Sequence, residues 1–369
     1  MLGRMLALGV DGGRVMLVDE ATGEVKWEVQ AHAGGYSRVT ISPNYGRFVA
    51  SVGSDENWRL WDAASGAEWM AGARHDGTGE CSCRTNRSGL RKSVDEGCPV
   101  VAHTAGVRTL AISPCGQRLA TGGDDRVVIL WDAQTGKAER VIPGISGKIM
   151  SLSFSADGAR LASGSHDGYI RVWDATGVVL HTIQVWPRDE VAWVHFFPTY
   201  NQRQRLASVA YEATLNQWDV GTGGMMTTAE GCVFAVYSPD GRTLATACQP
   251  EPEGNPLGHD VLLVDPDTGA VRFRLVGPHE VWSAAFSVDG SKLASGYVTG
   301  DCLIWDTSTG ALLRTIASGG WITSVAWGRD WVEDTQRAVA FTMGHHARLG
   351  GGSWVLGLDE ELLRMILDR

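Results

Sequence analysis

Three groups of side chains in this 369-residue chain have the types that chemistry needs. Cys81, Cys83 and Cys98, with His75 or His103 nearby, offer thiolates and imidazole, the donors of a zinc centre. Their spacing is C-x-C and then a long gap to one cysteine, which is not a paired knuckle, and free thiols on a loop are the simpler reading. His345-His346 is a weaker candidate still. Gly144-Ile145-Ser146-Gly147-Lys148 has the glycine and lysine of a phosphate loop. It lacks the upstream glycine and leads into a strand pattern where a phosphate loop needs a helix. The GxSxG nucleophile elbow does not occur, and the carboxylates sit mostly at turns, where they are solvated or bond the backbone. The expectation is a protein with no catalytic residue, no metal ligand and no cofactor.

Composition narrows the partners. The formal charge is −10, with Asp and Glu spread along the chain, which argues against nucleic acid and against acidic membranes. Seven cysteines, an odd count without disulfide spacing, suit a reducing compartment. Met1–Val10 is broken by Arg4 and runs into a strand pattern, so it does not read as a signal peptide. No apolar run approaches the roughly 18 residues of a membrane span. The expected location is the cytoplasm or the nucleus.

The elements that position these residues are short strands in a recurring unit. Residues 107–141 form its cleanest copy. An apolar run ends in the Ser113-Pro114-Cys115-Gly116 turn, and a second run, Arg118 to Thr121, ends in Gly122-Gly123-Asp124-Asp125. A β-branched run, Val127 to Trp131, follows, then a turn at Asp132 to Gly136 and a fourth strand to Ile142. Gly and Asp suit such tight turns, and alternating β-branched residues suit a half-buried strand. Equivalent positions fall at Val18, Trp61, Trp131, Trp173, Trp218, Val264 and Trp305, spaced by 43, 70, 42, 45, 46 and 41 residues. The long interval holds a polar insertion, residues 76–101. A four-stranded unit with a period of about 40 to 45 residues is the signature of a propeller blade, which needs copies on either side to bury its faces. Eight units can be counted over residues 1–369, the first lacking an inner strand. The eighth is degenerate, and residues 359–369 fit either an outer strand or a helical tail. The count leaves open an eight-unit ring with an incomplete first blade, or seven blades with residues 24–30 as the outer closing strand of the last.

Trp61-Asp62, Trp131-Asp132, Trp173-Asp174, Trp218-Asp219 and Trp305-Asp306 are each followed by a Ser-Gly or Thr-Gly turn. With the Ser-Pro-x-Gly-like turns and the Leu-Ala-Ser/Thr-Gly strands, they make the chain resemble the WD40-repeat family over almost its whole length. The resemblance implies an all-β propeller of seven or eight blades, and a buried chain of His, Asp, Ser or Thr, and Trp within a blade. Unit three has all four as His103, Asp125, Thr121 and Trp131, and unit two has His32, Asp55, Ser51 and Trp61. Unit four keeps Asp167, Ser163 and Trp173 but has Ile145 in the His place. Units five to seven depart further, with Glu212 and Thr299 in the Asp place and no Trp in unit six. A buried indole N–H and a buried carboxylate each need a partner, so these residues read as framework. The departures place the rigid half of the ring at units two to four.

The family geometry places the loops between blades, and the turns between second and third strands, on one face. Residues 76–101, residues 249–258 and His345 to Gly352 all fall in those loop classes. Aligned to Arg108, the starts of the inner strands give a ring of Ser37, Arg108, Met150, Ala192, Val233, Trp282 and Thr323. Arg108, Met150 and Trp282 stand out as partner anchors, with Ser37 and Thr323 beside them, since Trp and Arg favour hot spots. Trp282 packing between blades is the competing reading. Trp186, Trp193 and Trp321 either extend the aromatic patch or belong to the core. The implied role is a non-catalytic adaptor for protein or peptide partners, a single propeller within a larger assembly. A recognition or sensor module of a ubiquitin-ligase or signalling assembly is a narrower form. An enzyme with a pocket at the channel mouth is the rival from another class.

Overall fold

The computed structural model describes residues 4–41, 47–72, 103–174, 176–185, 190–197, 205–210, 214–229, 232–248 and 260–329. These form seven four-stranded antiparallel sheets. Units two to seven each make one blade, over residues 37–72, 107–142, 149–184, 191–229, 232–275 and 281–317. The inner strands touch in cyclic order, from Ser37–Ile41 through each blade to Ile322–Arg329 and back to Ser37–Ile41. The insertion 76–101, the loop 249–258, His345 to Gly352 and the strands or tail expected after residue 331 lie outside the described residues.

The closing blade resolves the two blade counts. Its inner strand, Ile322–Arg329, pairs with Arg4–Val10, which pairs with Arg14–Asp19, which pairs with Val25–Gln30. The first unit lacks an inner strand because the far end of the chain supplies it. Residues 25–30 are the outer strand of that last blade, as the seven-blade reading has it, and the two strands before them join it. Leu6, Leu8 and Val10 are fully buried there against Ile322, Val325 and Trp327.

The apolar core is divided among the seven interfaces between blades. Seven buried clusters occur, each joining two neighbouring blades. This division explains the patterning. The second strand of each blade is covered on both faces, so Phe48–Gly53, Arg118–Gly123 and Lys292–Tyr297 are runs of small and apolar residues without alternation. The outer strands bury little, as Leu312–Ala317 shows. Small residues on second strands admit the next blade: a Cβ at Gly122, Gly164 or Gly296 would stand 2.4–2.7 Å from Ile149, Val191 or Ile322.

Inner strands of propellers have a free backbone edge, and an open edge invites unwanted pairing. Here side chains of one blade cover the edge of the next. Ser151 accepts from the Val194 N–H at 3.1 Å, Ser153 from that of Phe196 at 3.1 Å, and Ser283 from that of Val325 at 3.1 Å. Ser324 accepts from the Val39 N–H at 3.2 Å across the closure. Towards the 3–4 turns, the Lys292 ammonium pairs with the buried Glu20, and Arg314 donates to the carbonyls of Ala21 and Thr22 at 2.7 and 3.1 Å. These contacts tie blade seven to the closing blade.

Candidate functional site

The polar chains fix the turns at the face. In blade three the Trp131 indole N–H donates to Thr121 Oγ1 at 2.7 Å. That hydroxyl lies 2.7 Å from His103 Nε2, and His103 Nδ1 lies 2.8 Å from Asp125. One tautomer satisfies every group: Nδ1–H donates to the carboxylate, and Nε2 accepts the threonine proton. His103 and Thr121 are buried, and Asp125 also accepts the Thr104 and Val127 N–H groups. The chain therefore orders the turn that carries Asp124.

Blade two repeats this with Trp61, Ser51, His32 and Asp55 at 2.9, 2.9 and 2.8 Å. Arg59 Nη1 lies 3.0 Å from Asp55 and 2.9 Å from His32 Nδ1. A nitrogen that donates to Asp55 cannot accept from Arg59, so both donors share the carboxylate. Burial works to raise the Asp55 pKa, but the bonds from His32, Arg59 and the Asn57 N–H outweigh it and hold the group far below the usual carboxylate range. In blade four the Trp173 indole reaches Ser163 at 3.1 Å, and buried Ile145 fills the histidine's place. Arg171 takes over Asp167, at 2.9 Å, and keeps its pKa low against burial.

The framework extends further than the sequence suggests. Trp218 bonds Ser208 and Trp305 bonds Ser295, both at 2.8 Å, so the indole–hydroxyl link persists where histidine is lost. Thr299, in the Asp place, bonds Asp301 instead, and Glu212 lies outside the described residues.

The aligned ring at the inner-strand starts has a common backbone cause. In six blades the register skips one residue between inner and second strands. The skipped residues are Arg108, Met150, Ala192, Val233, Trp282 and, in the closing blade, Thr323. A β-bulge leaves a residue unpaired and re-aims its side chain. Trp282 is thereby turned out to solvent, 51% exposed, and does not pack between blades. Trp321, just before the next inner strand, is 56% exposed, and Tyr36, before the one after, is 38% exposed. Trp193 is half-buried and donates to the Ala235 carbonyl at 3.1 Å, so it belongs to the interface of blades five and six. Trp186 lies outside the described residues.

Two of the aligned residues are not surface anchors. Ser37 is fully buried. Blade two has no bulge, so Ser37 pairs with Gly53 as Val107 pairs with Gly123, and it takes the inward place of Val107. Thr323 is occupied: its hydroxyl donates towards the carbonyls of Ser37 at 2.6 Å and Gly9 at 3.1 Å, and accepts the Ser37 N–H at 3.3 Å. It is a clasp at the ring closure.

Arg38, which alignment passed over, reaches another blade. Its Nη1 donates to the Met150 carbonyl at 3.2 Å. Met150 is on the inner strand of blade four, with blade three between, so the side chain crosses the channel. Among the described residues no carboxylate pairs with Arg38. Burial lowers its pKa, Arg108 adds to that, and Tyr36 opposes it. Arg108, by contrast, is held by Asp124: its Nε and Nη2 both reach that carboxylate, the latter at 3.0 Å, and Lys148 Nζ stands 3.4 Å from it. The pairing raises the Arg108 pKa and lowers that of Asp124. The one signal in the sequence was a lone arginine within the inner strand Ser37–Ile41.

No group of three His, Cys, Asp or Glu side chains converges on a possible metal position among the described residues. Cys232 and Cys302 are buried, and burial pushes the Cys302 thiol up to about 12. Cys81, Cys83 and Cys98 lie outside the described residues.

Comparison with known proteins agrees with this architecture. The family described as WD domain, G-beta repeat matches residues 97–132, 136–174 and 271–306. Autophagy-related protein 16 of Arabidopsis thaliana is 25% identical over 288 residues, which is 75% of this chain and 54% of that protein. Protein HIR1 of Yarrowia lipolytica is 34% identical over 114 residues, 30% of this chain and 10% of that protein. Small ribosomal subunit protein RACK1 of Caenorhabditis elegans is 29% identical over 114 residues, 31% of this chain and 26% of that protein. The match thus spans about half or less of each relative's own length.

Proposed function

As a WD40-repeat β-propeller, the chain offers faces and rims for binding, and we propose that it is a non-catalytic platform that captures protein or peptide segments at the channel mouth. The observation that carries this is the exposed aromatic arc of Trp282, Trp321 and Tyr36 on three consecutive blades, with Arg108 near Tyr36. Bare indoles cost solvation in a free protein and are the residues that anchor interfaces. The bulge that exposes Trp282 recurs at the same place in other blades, so a fixed backbone presents that indole, which lowers the ordering cost of binding. The framework chains hold the turns beneath without using any group for chemistry. One relative is named as a protein of the small ribosomal subunit, and membership of a larger assembly is the setting we propose here.

The test is affinity capture with the intact chain and with Trp282→Ala and Trp321→Ala. Both side chains are more than half exposed, so the variants should keep the parent's thermal midpoint. Loss of a hot-spot indole costs about 2 kcal/mol or more, roughly 30-fold in affinity. Unchanged capture by both variants would refute the face assignment.

A further inference from the structure

We propose that the channel mouth contains a carboxylate-binding subsite centred on Arg38, which receives one Asp or Glu side chain of the captured peptide. This rests on the reading of the face given above and names what it selects. A guanidinium has five N–H donors and is always charged. That of Arg38 bonds one backbone carbonyl, Met150 O, and no carboxylate among the described residues. A cation set inside a ring of strands without a counter-charge is costly. The nearby charges do not cancel it. Arg108 and Lys148 converge on the single carboxylate of Asp124, with Glu56 also acting on Arg108. Of these five groups three are cations and two are carboxylates, on a chain whose net charge is −10.

Charge complementarity therefore selects an anion. The flanking groups select its carrier: Tyr36, Trp321 and Trp282 spread over three blades, a wider apolar surface than a small ion covers. A peptide with an acidic side chain between apolar residues fits both. The carboxylate would take the free edge of the Arg38 guanidinium in a two-point bond, and the neighbours would lie on the indoles. Arg108, already held by Asp124, would contribute field more than contact.

The probe is a set of blocked twelve-residue peptides with a central Glu between two leucines, each matched with its Gln form. Binding to the full chain is read by calorimetry. The expected result is a preference for Glu of about tenfold or more, from the roughly 1.5 to 3 kcal/mol of a charge-assisted bond. Arg38→Met should bring the Glu/Gln ratio to about one without lowering the thermal midpoint, since it removes an unpaired cation. Arg38→Lys should keep an intermediate ratio, because a point charge lacks the fork. Trp282→Ala should weaken both forms equally and leave the ratio intact. A ratio near one in the parent chain, a ratio that survives Arg38→Met, or no binding by any member overturns the subsite. A ratio near one with binding still sensitive to Trp282→Ala removes the subsite and leaves the face reading standing. A lowered midpoint in Arg38→Met with the ratio retained would make Arg38 a strut across the channel and overturn the proposal.

Discussion

Ser51→Ala should destabilise the protein more than Ser208→Ala, although the two are the same chemical change at equivalent strand positions. Both serines are fully buried, and both accept an indole N–H, from Trp61 at 2.9 Å and Trp218 at 2.8 Å. Ser51 alone of the two also serves a histidine, His32 Nε2 at 2.9 Å. Ser208→Ala orphans one buried nitrogen, and Ser51→Ala orphans two. Each orphan costs about 1–3 kcal/mol. The expected losses are therefore about 1–3 kcal/mol for Ser208→Ala and about 2–6 for Ser51→Ala, a gap on the order of 2 kcal/mol. Transfer and cavity terms cancel in the comparison, because the atom removed is the same. Equilibrium unfolding in urea, with midpoints compared at equal slope, measures the gap. If Ser51→Ala costs no more than Ser208→Ala, the histidine is not drawing stability through that hydroxyl, and the polar chain is only a geometric coincidence of the turn.

Two further predictions rest on other parts of the ring. His195 lies on the inner strand of blade five, with Nδ1 sealed and without a partner among the described residues, and burial pushes its pKa down to about 4. The unfolded ring titrates near 6.5, so between these values the unfolded chain binds a proton that the folded chain refuses. The stability from His195 is thus complete above about pH 6.5 and is lost as the pH falls towards 4, by about 3 kcal/mol in total. Urea midpoints across that window should flatten in His195→Gln, and an unchanged pH slope in the variant would remove the assignment. At the closure, a Cβ on Gly9 would stand 2.1 Å from the Ser37 carbonyl oxygen. Gly9→Ala should therefore lower the thermal midpoint more than Gly12→Ala, where nothing stands within 4 Å, even though Gly12 has the positive φ of 73°. The reverse order would show that the closure yields more easily than the turn.

What the sequence made legible, and what it hid, divides along the range of the interaction. The WD dipeptides and turn residues act within about ten residues, so blade order followed from spacing, and the bonds of Trp61, Trp131 and Trp173 from the family resemblance. Closure joins Leu6 to Trp327, and no local pattern announces a partner more than 300 residues away. The inner-strand ring shows the same limit on a finer scale. Counting back from the core strand made Ser37 the counterpart of Arg108, because alignment assumes that each strand has the same number of residues. Five of the seven inner strands spend an extra residue on a bulge against their second strand, and the closing blade does so against Arg4–Val10. Blade two does not. Without that residue Ser37 falls into the inward place and Arg38 into the channel. That is why Arg38 sat one position away from where periodicity put the counterpart of Arg108. It also makes Arg38 more than a shifted copy of its neighbours. A regular strand lets it reach the Met150 carbonyl of blade four, where the bulge of blade seven turns Trp282 out to solvent. One residue more or less in the inner strand thus separates the outward indole of Trp282 from the inward guanidinium of Arg38.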